Sequence, residues 1–61
     1  MKTNEEWEEA KAWLDEVRQA YFEVGSAGLL GLQISINPLL VRYERGERTD
    51  ELYEEMMGLK L

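Results

Sequence analysis

Three glycines set three residues apart, Gly25, Gly28 and Gly31, are the first group in this 61-residue chain whose type and spacing could do chemistry. Glycine-rich turns cradle phosphates on backbone N–H groups. A P-loop, however, follows a strand and ends in Gly-Lys-Ser/Thr, and neither feature accompanies Gly25-Ser26-Ala27-Gly28-Leu29-Leu30-Gly31. The same spacing lets one helix lie close against another, and that is the reading these residues favour. Arg42, Arg45 and Arg48 also recur every three residues and could clamp an anion carried by a partner. Glu44, Glu47, Asp50 and Glu51 lie near enough to pair with them instead. The acids Glu5, Glu6, Glu8 and Glu9 lack the spacing of a calcium loop and read as the charged start of a helix.

The residues that are missing narrow the chemistry further. With no cysteine and no histidine, the chain offers no thiolate nucleophile, no imidazole base and no Cys/His zinc site. The expectation is a non-catalytic protein with no metal and no cofactor. Thirteen acids against seven bases give a net charge of −6, which repels phosphate backbones, so no nucleic-acid partner is expected. An apolar content of 44%, including Trp7, Trp13, Tyr21, Phe22, Tyr43 and Tyr53, is too rich for a disordered acidic tail. The acidic start Met1-Lys2-Thr3-Asn4-Glu5-Glu6 is unlike a secretory signal. The uncharged stretch from Val24 to Val41 is too broken by Gly25, Gly28, Gly31, Gln33, Asn37 and Pro38 to span a membrane. A cytoplasmic protein is expected, residues 1–61 forming a single small helical domain. A domain this small buries only about 60% of the surface its unfolded chain exposes, so its extra stability should come from a partner or a second copy.

The elements that position these residues are read from periodicity and caps. Thr3-Asn4-Glu5-Glu6 is a capping box, and Trp7, Ala10, Leu14, Val17, Tyr21 and Val24 follow at steps of three and four as one apolar stripe. This predicts a helix from Asn4 to Val24, continuing weakly to about Gly31. Ile34-Ser35-Ile36 reads as an extended connector. Asn37-Pro38 reads as an N-cap with proline at the first position of a second helix, ended by Gly46. Thr49 caps a third helix with Leu52, Met56 and Leu59 on its apolar face. The predicted fold is all-α, three helices, a long N-terminal one followed by two short ones.

Ser26-Ala-Gly-Leu-Leu-Gly-Leu-Gln-Ile-Ser35 and Val41-Arg-Tyr-Glu-Arg-Gly-Glu-Arg-Thr-Asp-Glu-Leu52 together resemble the small VbhA-type antitoxins of Fic-domain AMP-transferases. That family's inhibitory helix carries Ser or Thr, three arbitrary residues, Glu, then Gly or Asn. Ser26 matches the first position and Gly31 the last, while Leu30 stands where the family has its glutamate. The resemblance covers about residues 20–55 and implies a Fic-domain protein as partner. In the family the glutamate pairs with an arginine of the Fic active site and fills space needed by the ATP γ-phosphate, an ion pair that Leu30 cannot form. Glu23, seven residues earlier, would share a face with Leu30 on a continuous helix, about 10 Å away.

The leading expectation is therefore an antitoxin-like partner that binds and inhibits or moderates a Fic-domain AMP-transferase, with Ser26, Leu30 and Gly31 as its inhibition motif. One alternative is an acidic phage-type or regulatory interaction protein that mimics nucleic acid. The other is a self-associating helical dimer.

Overall fold

The computed structural model describes residues 1–60, which are helical over most of their length and, among those described, contain no strand. The elements are α1 (Asn4–Val24), α2 (Ser26–Gly31), a π-helical turn (Leu32–Ile36), α3 (Asn37–Glu44) and α4 (Asp50–Met57). α2, the π turn and α3 run on without a break as a 19-residue second helix, so the protein has three helices, the first of them long.

α1 begins as its sequence dictates. The Glu6 amide donates to Thr3 Oγ1 at 3.1 Å and the Thr3 amide to Glu6 Oε1 at 3.0 Å, so each satisfies an N–H the helix would leave orphaned. These contacts, the amide of Thr3 foremost, hold the Glu6 carboxyl below its ordinary pKa. α1 does not continue to Gly31. Gly25 takes φ +98°, a conformation open to glycine and strained for other residues, and the chain folds back there with α2 lying against α1. Glu23 and Leu30 thus belong to two different, roughly antiparallel helices and share no face.

The second helix departs from expectation at its middle. Ile34-Ser35-Ile36 is π-helical rather than extended, and Asn37 lies inside the helix rather than capping it; its amide donates five residues back to the Leu32 carbonyl. Proline within an α-helix lacks the N–H that would meet the carbonyl four residues earlier, and its ring collides with that carbonyl. The wider π turn before Pro38 relieves both problems, so the helix passes through a residue that would otherwise start or stop it. Burial supplies the drive, because Gly28, Leu32, Ile36 and Leu39 all reach the inner side of this one helix.

The two long helices touch at one end and are held apart at the other. At the tip, a Cβ on Gly28 would overlap the Tyr21 carbonyl oxygen, and one on Gly31 would stand 2.7 Å from Tyr21 Cε2. At the base, Trp7 and Tyr43 have ring centroids 6.1 Å apart and Tyr53 of α4 meets Trp7 edge-on at 5.4 Å. α4, capped by Thr49 accepting from the Leu52 amide, packs against both α1 and α3 there. The Trp13 indole donates to the Leu59 carbonyl at 3.0 Å and ties down the chain after α4. The core is Trp7, Ala10, Leu14, Val17, Leu32, Ile36, Leu39, Leu52 and Met56. The predicted stripe holds to Val17, with Tyr21 half-buried, but Val24 is 70% exposed because the helix ends beside it. The whole measures 36 × 17 × 16 Å, its length set by α1, whose 21 residues span about 31 Å.

Candidate functional site

Ser26 is the first residue of α2, immediately after the Gly25 turn, and is exposed. Leu30, four residues on, is 59% exposed. Residues at this spacing lie one above the other on a helix, so Ser26 and Leu30 share an outward face. Gly31 does not join them: it turns inward onto the Tyr21 ring. The glycines thus do what their spacing favours, bringing α2 against α1, and they leave Ser26 and Leu30 presented on the opposite side.

The outward face extends beyond the predicted motif. Ile34, one turn beyond Leu30, is 67% exposed; Leu29 and, on α1, Phe22 are exposed as well. Phe22 and Leu32 line a shallow groove of about 230 Å³ together with Asp15, Arg18 and Gln19. Within it, Arg18 Nη1 stands 3.5 Å from Asp15 Oδ1, while the Arg18 Nε is buried with no hydrogen-bond partner. Phe22, Ile34 and this groove were missed by reading the apolar stripe alone. The available signal was the absence of charge from Val24 to Val41, which exceeds what one buried helix side can use.

The arginine series is not assembled into an anion clamp. Arg42 Nε donates to Glu47 Oε1 at 3.0 Å and Nη1 to Glu55 Oε2 at 2.6 Å, with Glu51 3.8 Å away. Glu47, Glu51 and Glu55 therefore hold Arg42 between α3 and α4, and the Arg42 pKa is raised, chiefly by its hydrogen bonds to Glu47 and then Glu55. In return Arg42, followed by the Thr49 hydroxyl, keeps the Glu47 carboxyl below its ordinary value. Arg48 lies over the Tyr43 ring at 3.8 Å and donates to the Tyr43 carbonyl. These side chains lock the base of the bundle.

Among the described residues no three His, Cys, Asp or Glu side chains group as metal ligands, and no helix is long and apolar enough to cross a membrane. No family model, curated protein or solved structure matches the chain.

Proposed function

We propose that this chain is a non-catalytic partner protein that docks on a larger protein through the outward face of its second helix, and that the larger protein is a Fic-domain AMP-transferase. The observation that carries the reading is the joint exposure of Ser26 and Leu30 on a helix whose reverse side is pinned to Tyr21. The helix is held rigidly from behind, so little conformational entropy is lost when the face binds. The Ser26-to-Gly31 resemblance supplies the identity of the partner, and Leu30 in the place of the family's glutamate supports moderation of AMP transfer by bulk rather than by an ion pair. A cytoplasmic site of action belongs to the same reading.

The test is purification of the tagged chain from cells that also express the untagged product of the neighbouring gene, followed by native mass measurement. A stable complex with a Fic-domain protein is expected. Recovery of the chain without the Fic-domain protein contradicts the assignment.

A further inference from the structure

The buried side chains of this molecule stop short of its tip. On α1 the core runs from Trp7 to Val17, and on the second helix it resumes only at Leu32. Between Val17 and Leu32 Gly28 alone is buried, and it has no side chain. What holds α2 against α1 is the approach of Gly28 to the Tyr21 carbonyl and of Gly31 to the half-buried Tyr21 ring. Polar ties are missing as well: among the described residues no side-chain hydrogen bond or ion pair involves residues 24–41. The base is fastened differently, by the Arg42 pairs to Glu47 and Glu55, the Trp13 bond to Leu59 and the packed rings of Trp7, Tyr43 and Tyr53.

Both ends of α2 are places where the chain can give. Gly25, at φ +98°, precedes it, with open space where a side chain would stand. After it comes the π turn Leu32–Ile36 and then Pro38, which has no N–H to donate to the turn before it. Once off α1, α2 is six residues with two glycines, and isolated helices shorter than about 12–15 residues are marginal in water. It therefore melts when it detaches.

We infer that α2 is a flap that opens as a unit, hinged at Gly25 and at the π turn and latched by Tyr21, while the base of the bundle stays folded. Segments with little buried apolar surface open at lower free energy than the core around them, and residues that open together form one cooperative unit. The closed flap is the predominant form, and it sets Ser26 and Leu30 one above the other. Opening melts α2 and disperses them. A partner that takes this face selects the closed form, so Tyr21 governs its binding from the reverse side without touching it. That consequence rests on the preceding reading; the opening itself does not.

Amide hydrogen exchange of the full chain, followed by NMR at low urea concentrations, reads the opening with no partner present, so its failure is distinct from failure of the Fic-domain assignment. The Leu29 and Leu32 amides donate to the Gly25 and Gly28 carbonyls, and Leu14 lies in the middle of α1. Leu29 and Leu32 are expected to share one protection factor, at least about tenfold below that of Leu14, and to lose it less steeply with urea because less surface is exposed. Thr49→Ala, which removes the cap of α4 at the base, is expected to lower the protection of Leu14 about fivefold and to leave Leu29 and Leu32 as they are in the unaltered chain. Glu47→Gln, which breaks the pair with Arg42, is a second base variant expected to act in the same direction. Equal protection and equal urea dependence at Leu14, Leu29 and Leu32 would overturn the proposal. So would a fall at Leu29 and Leu32 matching that at Leu14 in either variant, or unlike urea dependence at Leu29 and Leu32, which marks separate bonds fraying one by one.

Discussion

The carbonyl oxygen of Tyr21 stands where the Cβ of any residue other than glycine would lie at position 28. Alanine for glycine inside a helix ordinarily stabilises by about 0.5–1 kcal/mol. Here the sign reverses, because a methyl group meets backbone that can yield only by opening the hairpin. Gly28→Ala is expected to cost about 1–3 kcal/mol in urea unfolding, and Gly31→Ala less, since its neighbour is the edge of a half-buried ring that can shift. Stabilisation by Gly28→Ala would contradict the close approach of the two helices.

Adjacent residues on α1 should differ sharply in consequence. Leu14 is fully buried, whereas the Asp15 side chain is half exposed and pairs only with Lys11 and Arg18 at the surface. Leu14→Ala is expected to lower unfolding free energy by about 2–5 kcal/mol. Asp15→Ala is expected to change it little, as surface pairs usually contribute less than about 1 kcal/mol. Equal losses would place α1 in the wrong orientation.

Acid should loosen the base of the bundle. Glu47 and Glu6 both have folded-state pKa values below the ordinary value near 4.5, the first through Arg42 and Thr49, the second through Thr3. Their stabilising contribution is complete above that value and is lost as pH falls through the lower folded values. The urea midpoint is therefore expected to be flat near neutrality and to fall below about pH 4.5. Glu47→Gln should reduce stability at neutral pH and make the acid fall shallower. An unchanged acid slope would mean that the Arg42–Glu47 pair is not formed in solution.

Much of this fold is legible in local sequence where one residue's chemistry has a single structural use. Thr3 with Glu6, and Thr49 before Asp50, mark helix starts that the structure reproduces. Asn37-Pro38 misleads because a proline at the start of a helix and a proline preceded by a π turn share the same local sequence. Burial of Leu32, Ile36 and Leu39 on one side decides between them, and that depends on α1. The glycine series had two uses, and which glycine turns the chain depends on Gly28 having to meet Tyr21, leaving Gly25 to reverse direction. The Arg42 bridge to Glu55 joins residues 13 apart on separate helices and has no local signature. Ser26 and Leu30 were legible as a pair, whereas Gly31 was grouped with them by the motif and faces the other way.

Docking through an apolar face should tolerate salt. Binding of the proposed partner, if made through Leu30 and its neighbours, is expected to persist when ionic strength is raised, since screening acts on charges and burial of apolar surface does not depend on them. A steep loss of binding with salt, relieved by neutralising Glu5, Glu8 and Glu9, would instead assign the contact to the acidic start of α1.

The most direct measurement is AMP transfer by the proposed Fic-domain partner, followed with labelled ATP by autoadenylylation at matched occupancy of the chain, comparing Leu30, Leu30→Glu and Leu30→Ala. Leu30 is exposed and shares its face with Ser26, so a glutamate there projects outward with a hydroxyl one turn away. An ion pair shielded from water supplies several kcal/mol of differential binding, equivalent to orders of magnitude in rate. Leu30→Glu is expected to bind the partner about as well as the present chain and to suppress AMP transfer far more strongly, with Leu30→Ala suppressing least. Identical activity with all three chains bound would contradict the assignment of this face to a Fic active site.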